Sequence, residues 1–444
     1  LGTSYAVLTP GCPLSERDRS NRLYGEDLLR SRIKLIALLA ALMLVFAACG
    51  GDDDDTSGDD GGDDTTATTE AMEDETTTTE AMEDETTTTG ASEETTTTAA
   101  VEAGGLICEV TDVGGVDDKG FNASAWAGAQ RAAADFGAEA KVLESQAETD
   151  YEVNINSFID QGCDLIVTVG FLLGTATKDA ANANAEQAFT IVDFAYGNEV
   201  DEDFNEILDE NGNPIPEIQN ANVKGLVFNT DEAAYLAGYL AAGMTETGKI
   251  GTFGGINIPP VTIFMNGFAR GAAYHNEVNG TTVEVLGWNP DTQEGSFTNN
   301  FESLDDGRAF AQSLVDEGAD IVMPVAGPVG LGSAQLASEL GTFMIIGVDV
   351  DGYEADPNNS AVYLTSVLKR IDNAVYAASQ EALGGAFSSD LYVGTLANEG
   401  VGLAPYHDFD SAVPEGLKTE ITDLAAAIVA GSIAGIICFI GLTL

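Results

Sequence analysis

From residue 106 onward, short apolar runs alternate with longer stretches in which apolar positions recur every three or four residues. The short runs are typical of buried strands, and the longer periodicity is typical of amphipathic helices. The runs predict strands at 106–111, 140–143, 165–169, 189–192, 223–228, 249–253, 282–286, 321–324 and 343–348. The periodic stretches predict helices at 123–136, 151–161, 175–184, 231–245, 264–276, 307–317 and 333–340. Such alternation predicts parallel sheets covered by helices on both faces.

The strands are too numerous for one compact sheet, and the series divides after residue 228. We therefore predict an α/β fold with two doubly wound parallel-sheet lobes, 105–228 and 229–348. Residues 349–431 are predicted to cross between the lobes and complete both. In such folds the ligand binds at the carboxyl ends of the strands, which here predicts a cleft between the lobes.

The N-terminal residues 1–49 are typical of an export leader. Three basic residues between positions 30 and 34 precede a 14-residue apolar run at 35–48, which is too short to span a bilayer and ends in small residues. The segment before residue 30 begins with Leu1 and has no role in such a signal. We therefore expect that translation starts downstream of Leu1.

The end of the leader resembles a bacterial lipobox. Residues 44–50 read Leu-Val-Phe-Ala-Ala-Cys-Gly, with Phe46 where leucine is usual. The resemblance implies cleavage before Cys49 and attachment of a diacylglyceryl group and palmitate to that cysteine. The protein would then be anchored by lipid at the extracytoplasmic face of the cell membrane. Plain secretion with an incidental cysteine is the alternative.

Residues 50–104 contain 19 Asp and Glu and no Lys or Arg, and one decapeptide occurs at 70–79 and again at 80–89. This composition cannot form a core, so it predicts a disordered, acidic, Thr-rich tether.

At the C-terminal end of the sequence, residues 432–444 are apolar and lack basic flanks. A read-through or misassembled tail is the interpretation that we favour there, and a membrane anchor is the alternative.

The whole chain has 73 acidic and 17 basic residues and a formal net charge of −56. Residues 105–444 alone hold 50 acidic and 11 basic residues. A phosphate backbone would be repelled by such a surface, so we expect no nucleic-acid partner. An acidic cleft would disfavour phosphorylated ligands for the same reason.

The predicted lobes contain Cys108 and Cys163, both in or beside predicted strands. An exported protein permits a disulfide between them, and two buried free thiols are the interpretation that we favour. Cysteine, histidine and carboxylate positions show no metal-ligand spacing, and we expect neither a metal nor a cofactor.

The densest cluster of unusual residues, 111–122, directly follows the first predicted strand. Its sequence is Thr-Asp-Val-Gly-Gly-Val-Asp-Asp-Lys-Gly-Phe-Asn. Glycines allow a tight turn, and the polar residues and the phenylalanine then lie at the carboxyl end of a strand, facing the predicted cleft. A structural turn would have a similar composition apart from the aromatic residue.

This segment resembles the signature of the basic membrane protein family, the substrate-binding lipoproteins of ABC transporters that include purine nucleoside receptors. The similarity continues in order over about residues 105–431. The further matching motifs lie at 189–193, 231–238, 254–259, 326–332, 346–351 and 365–370. The resemblance implies a fold like that of type I periplasmic binding proteins. It also implies an ABC transporter permease as partner.

The family's ligand-binding positions can be assigned to residues of this sequence. The resemblance implies that Phe121 stacks on a purine and that Asp112 and Asn122 contact the base. It also implies that Asp193, Asp349 and Lys369 form the polar set. The ligand-binding residues expected are Asp112, Phe121, Asn122, Asp193, Phe301, Gly327, Asp349 and Lys369.

The second stacking aromatic falls where the sequence departs from the family pattern, between Trp288 and Arg308. Trp288, Phe297 and Phe301 are the candidates, and Phe301 fits best by its distance to Gly307.

We expect a monomeric binding protein without catalytic residues, with a purine nucleoside as ligand. A binding protein for a sugar or a furan-type signal is one alternative. A nucleoside hydrolase is the other alternative. It would have to work with carboxylates, because His275 and His407 are the only histidines and neither adjoins a nucleophile motif.

Overall fold

The computed structural model of the protein describes residues 104–201 and 204–433. The leader with Cys49, the tether up to residue 103 and the tail from residue 434 lie outside the described residues. The predictions about these three segments therefore stay predictions.

The first sheet has six strands, all joined in parallel pairs, in the order β13-β5-β4-β3-β1-β2. Its strands are β1 (Leu106–Val110), β2 (Glu139–Leu143), β3 (Leu165–Val169), β4 (Phe189–Val192), β5 (Val223–Phe228) and β13 (Tyr392–Gly394). The chain order reverses between β1 and β3. In doubly wound sheets this switch point opens a crevice for ligands.

The second sheet repeats the arrangement in the order β14-β12-β11-β10-β6-β7, and its β12–β14 pair is antiparallel. Its strands are β6 (Lys249–Gly254), β7 (Glu284–Leu286), β10 (Ile321–Val325), β11 (Met344–Asp349), β12 (Tyr363–Lys369) and β14 (Val401–Leu403). A separate two-stranded ribbon pairs β8 (Trp288–Asn289) with β9 (Glu294–Gly295). The predicted α/β fold with two doubly wound parallel sheets is confirmed.

Helices follow most strands and cover the sheets. They are α1 (Phe121–Phe136), α2 (Tyr151–Gln161), α3 (Gly174–Ala183), α4 (Thr230–Met244), α5 (Pro259–Asn279), α6 (Leu304–Asp316), α7 (Val329–Leu340), α8 (Gly352–Ala355), α9 (Ile371–Leu383) and α10 (Glu415–Val429). The predicted start of α5 at residue 264 is wrong. The helix begins at Pro259 because proline lacks only an amide that the first turn leaves unbonded in any case.

Strand β12 is absent from the predicted elements although it is almost entirely buried. Its Thr365 and Ser366 interrupt the apolar run. Inside the protein, however, Thr365 Oγ1 donates to the carbonyl of Ala404 at 2.7 Å, and Ser366 Oγ accepts from the amide of Gly352 at 2.9 Å. Because buried hydroxyls are stable once they are hydrogen-bonded, a polar sequence fills a core position here.

The chain passes between the sheets three times: from β5 to β6, from β12 to β13 and from β13 to β14. Backbone hydrogen bonds tie these passages together. The amide of Asn229 donates to the carbonyl of Gly394 at 2.8 Å, and that of Arg370 donates to the carbonyl of Gly400 at 2.9 Å. The predicted lobe boundaries, 105–228 and 229–348 with 349–431 completing both lobes, stay a prediction.

Cys108 and Cys163 form a disulfide, with a Cα–Cα distance of 6.0 Å. Our preference for two free thiols is therefore wrong. Cys108 lies in β1, and Cys163 comes just before β3, the strand that pairs with β1. The pairing of β1 with β3 brings the two cysteines together, although 55 positions separate them in the sequence.

We expect reduction of this disulfide to lower the free energy of unfolding by about 2–4 kcal/mol, because it releases a long loop in the unfolded chain. The measurement is urea unfolding with and without dithiothreitol. The Cys108→Ala/Cys163→Ala variant is the matched control, and its unfolding midpoint should not respond to the reductant. A midpoint of the wild type that does not respond either, together with the absence of a linked peptide after non-reducing proteolysis, would contradict the assignment.

Candidate ligand-binding site

A pocket of about 620 Å³, solvent at its mouth included, opens where the strands of both sheets end. Side chains that follow β1 and β4 form one wall, and side chains at the ends of β10, β11 and β12 form the other. The pocket therefore has the location that the doubly wound topology predicts for a ligand.

The two walls meet at a buried ion cluster. Lys369, whose side chain is 2% exposed, places its ammonium nitrogen 2.5 Å from a carboxylate oxygen of Asp193 and 3.9 Å from one of Asp349. Asp193 follows β4 of the first sheet, whereas Asp349 and Lys369 end β11 and β12 of the second. The cluster thus joins the two sheets inside the pocket.

Both aspartates of the cluster adopt a left-handed backbone conformation, with φ values of 65° for Asp193 and 67° for Asp349. Residues other than glycine rarely adopt this conformation, although Asp tolerates it better than most. Strained backbone of this kind is concentrated at functional sites because the surrounding structure has to hold it in place. Two equivalent turns, one at each sheet, therefore aim a carboxylate into the pocket.

The loop between β1 and α1 supplies a second polar group. The side-chain amide of Asn122 donates to Asp112 Oδ1 at 2.8 Å, and the amide of Gly114 donates to the same oxygen at 3.1 Å. Asp118 accepts from the backbone amides of Gly120, Asn122 and Ala123 at 2.7–3.0 Å, so it caps the start of α1. Asn122 Oδ1 is buried without a hydrogen-bond partner. It is a free acceptor in the pocket lining.

Burial dominates the titration of these acids. It raises the pKa of Asp112 to about 6, against the lowering effect of the Asn122 and Gly114 hydrogen bonds. Burial also raises the pKa of Asp349 to about 6, with Lys369 opposing the shift. The pKa of Asp193 is raised for the same reason, although Lys369 is in direct contact. Water-poor surroundings therefore make each carboxylate a stronger proton acceptor than an exposed one.

Aromatic side chains cover the remaining walls. Phe121 begins α1, and the Lys369 ammonium lies 4.8 Å from its ring centre. Phe171 follows β3, Phe264 belongs to α5, and Phe301 precedes α6. These four rings offer flat apolar surface on both sides of the pocket.

Phe301 is the only one of the three candidates for the second aromatic that lines the pocket. Trp288 donates from its indole nitrogen to Asn266 Oδ1 at 3.1 Å and packs edge-on against Phe297. Gly255 leaves room for the ring of Phe301, since a Cβ at this position would lie 2.3 Å from the ring. The departure from the family pattern therefore still places an aromatic ring in the pocket.

The structure brings all eight sequence-predicted residues to this one pocket. They are Asp112, Phe121, Asn122, Asp193, Phe301, Gly327, Asp349 and Lys369. Their roles in binding stay a prediction. Asp118, Phe171 and Phe264 also line the pocket and were missed. Asp118 and Phe264 lie in or next to the matching motifs, whereas Phe171 had no signal beyond its place after a strand.

A family model described as "ABC transporter substrate-binding protein PnrA-like" matches residues 107–422. The chain belongs to this family. The resemblance found in the sequence is thereby confirmed. The protein is a substrate-binding protein of an ABC transporter system, which implies a small-molecule ligand, a permease partner and a location outside the cytoplasm.

Two of the similar curated proteins are named basic membrane protein A. Basic membrane protein A of Borreliella afzelii is 30% identical over 319 residues, which cover 71% of this chain and 87% of that protein. Basic membrane protein A of Borreliella burgdorferi is 32% identical over 263 residues, or 59% and 68% of the two chains. The CD4+ T-cell-stimulating antigen of Listeria monocytogenes is 29% identical and covers 71% and 86%.

Solved structures share the fold. A solute-binding protein of an ABC transporter system from Aeropyrum pernix K1 superposes with a TM-score of 0.63 at 24% identity, covering 74% of this chain and 92% of that one. A similar protein from Conexibacter woesei gives a TM-score of 0.54 at 22% identity, covering 74% of this chain and 97% of that one.

Among the residues that the structure describes, no helix has the length and apolar character needed to cross a membrane. The same residues include no group of three or more side chains suited to hold a metal ion.

The raised pKa of Asp349 predicts a pH-dependent stability of the unliganded protein. Its contribution is fully present below the ordinary pKa of 3.8 and is lost as the pH rises through about 6, because the folded state holds the proton more tightly. Asp349→Asn removes this dependence and keeps a side chain that tolerates the left-handed backbone. Relative to the variant, the wild type should lose up to about 3 kcal/mol between pH 4 and pH 7.5.

Urea unfolding at a series of pH values measures this difference. Asp316→Asn, at an exposed position of α6, is the control and should follow the wild type at every pH. A difference between Asp349→Asn and the wild type that stays constant across the range would show that Asp349 has no raised pKa.

Proposed function

We propose that the protein captures a purine nucleoside between its two lobes and delivers it to an ABC transporter permease. The observation that carries this proposal is the Asp193–Lys369–Asp349 cluster, which joins both sheets inside an aromatic-lined pocket. The family assignment supports the transport role, and the chemistry of the pocket supports the nucleoside.

The cluster suits the sugar of a nucleoside. Vicinal ribose hydroxyls are donors, and ionised carboxylates such as Asp193 and Asp349 accept from them in charge-assisted hydrogen bonds. Lys369 offsets part of the negative charge and donates to an oxygen of the sugar. A hydroxylated ring therefore finds both acceptors and a donor at this end of the pocket.

The opposite end suits a base. Asp112 and Asn122 present oxygen acceptors, and Asn122 Oδ1 has no protein partner. An unpaired buried acceptor is unfavourable, so a ligand N–H group that reaches it gains more than a hydrogen bond exposed to water would. The faces of Phe121 and Phe301 supply the apolar contact that a planar purine needs.

The charge of the pocket favours an uncharged nucleoside over a nucleotide. Its lining contains the carboxylates Asp112, Asp118, Asp193 and Asp349, and one ammonium group, Lys369. A phosphate would add negative charge to this set in surroundings where charges are weakly screened. The aromatic rings on both walls also favour a base over a free sugar or a furan-type signal.

Binding and closure of the lobes are coupled in this proposal. A ligand that contacts Asp112 and Asp193 on one wall and Asp349 and Lys369 on the other stabilises the closed arrangement relative to the open one. A permease can then distinguish loaded from empty protein by shape.

Since one chain supplies both walls of the pocket, we infer that a monomer suffices to bind the ligand. Light scattering of the ligand-bound protein tests this.

Isothermal titration with a panel of nucleosides, nucleotides and sugars tests the proposed ligand. We expect purine nucleosides to bind and their 5′-monophosphates to bind at least tenfold more weakly. Phe121→Ala should weaken nucleoside binding about 10- to 100-fold, because stacking on a base contributes about 1–3 kcal/mol. Phe297→Leu, an aromatic substitution outside the pocket lining, is the control and should change the affinity less than twofold.

Three results would contradict the proposal. Binding of a sugar or furan without nucleoside binding would support the alternative solute. An affinity that Phe121→Ala leaves unchanged would show that the base lies elsewhere. Release of free base from inosine during incubation would support the hydrolase.

We further propose that lipid on Cys49 holds the receptor at the outer face of the cell membrane. The lipobox-like segment and the acidic, repeated sequence after it support this arrangement, because charged, self-repelling linkers are extended. Cells expressing the protein should incorporate radiolabelled palmitate into the wild type and not into Cys49→Ala. Equal labelling of both proteins, or of neither, would contradict the anchor.

A further inference from the structure

A second cavity, of about 470 Å³ with its open mouth included, adjoins the ligand pocket. The two cavities share Asp118, Gly327, Val348 and Asp349 in their linings. Asp349 belongs to the sugar end of the proposed site, whereas Phe121, Asp112 and Asn122 line the first cavity alone. The second cavity therefore adjoins the proposed sugar end through Asp349 and the start of α1 through Asp118.

Three polar side chains of the second cavity, Asp118, Lys119 and Asp356, are paired within the protein. Both oxygens of Asp118 accept from amides at the start of α1. Asp356, which is 3% exposed, accepts from Lys119 at 3.2 Å and from Asn359 at 2.7 Å. A ligand group that lies beside Asp118 and Asp356 therefore has no need to satisfy their charges.

The other side chains of the lining are mostly aliphatic. They include Pro324, Leu331, Ile345, Val348 and Ala355, with Tyr363 beside them. Apolar surface of this kind gains free energy when an apolar group displaces water from it. An anionic group would be repelled, because Asp118, Asp349 and Asp356 outnumber Lys119 in the lining. A cationic group would find Asp118 and Asp356 already paired.

The ion pair between Lys119 and Asp356 limits the length of a substituent. Lys119 belongs to the loop before α1, and Asp356 follows α8 beside the second sheet, so the pair spans the two walls. The Lys119 side chain is 42% exposed, whereas that of Asp356 is 4% exposed. The pair therefore stands where the second cavity meets solvent, and a compact group fits behind it.

We propose that the second cavity is a subsite for a compact, uncharged, apolar substituent on the 5′ carbon of the nucleoside sugar. The physiological ligands then include 5′-alkylthio nucleosides as well as plain ones. This inference rests on the proposed function, since it takes the sugar end from the position of Asp349. It adds a ligand class and a specificity-determining space to that function.

Titration of the full chain with three adenine ligands tests the subsite. The probes are adenosine, 5′-deoxy-5′-methylthioadenosine and adenosine 5′-monophosphate. We expect the methylthio ligand to bind the wild type about threefold to tenfold more tightly than adenosine, because it buries a further apolar group. The monophosphate should bind at least tenfold more weakly than adenosine.

Variants that fill the second cavity test whether the preference for the methylthio ligand arises there. Ala355→Leu should weaken binding of the methylthio ligand at least tenfold and change adenosine binding less than twofold. Leu331→Phe serves as a second filling variant if Ala355→Leu does not fold. Ala425→Leu, at a partly buried position of α10 outside both linings, is the matched control and should change neither affinity.

The outcomes separate this inference from the proposed function. Weaker binding of the methylthio ligand than of adenosine to the wild type overturns the subsite and leaves the nucleoside function intact. Equal effects of a filling variant on both ligands also overturn it. If adenosine does not bind and another solute does, the proposed function and the subsite fail together.

Discussion

The ammonium of Lys369 lies between Asp193 of one sheet and Asp349 of the other, in a place that water hardly reaches. A buried ammonium is stable only while carboxylates surround it, and loss of one partner of such a pair costs about 3–5 kcal/mol. The cluster therefore ties the carboxyl ends of β4, β11 and β12 to one another. The two pocket walls meet at this cluster, and both aspartates have a left-handed backbone there. The Lys369 ammonium also lies 4.8 Å from the ring centre of Phe121 and 5.8 Å from that of Phe264.

Much of the fold follows from local pattern. Most predicted strands are short apolar runs that are buried in the structure, whereas β2 and β7, at the sheet edges, are partly exposed. The alternation with helices is sufficient to indicate two parallel sheets. The pattern fails where pairing across the chain overrides it. Thr365 and Ser366 fill core positions in β12 because Ala404 and Gly352 provide hydrogen-bond partners from distant segments. The Cys108–Cys163 disulfide depends in the same way on the pairing of β1 with β3.

Most residues of the site were predictable from sequence motifs, because a motif identifies individual residues and hydrophobic periodicity does not. Asp112, Phe121 and Asn122 lie within one motif after one strand, and the turn there almost dictates that they share a wall. Phe171 lies in no motif, and it reaches the pocket only because β3 neighbours β1 in the sheet order. Asp118 is inside the motif, yet its role as the cap of α1 depends on backbone geometry that residue types do not reveal.

The acidity of the pocket links recognition to closure. With pKa values of about 6 for Asp112 and Asp349, burial makes their ionised forms costly in the empty protein at neutral pH. A ligand whose hydroxyl and N–H groups donate to these carboxylates stabilises the charged forms and lowers both pKa values. A ligand without donors leaves the cost in place, and an anion raises it. Since the acids come from both sheets, we propose that a ligand that donates to both walls removes this cost on both of them. In the proposed function, the carboxylates that favour an uncharged, donor-rich solute therefore also couple its binding to closure of the lobes.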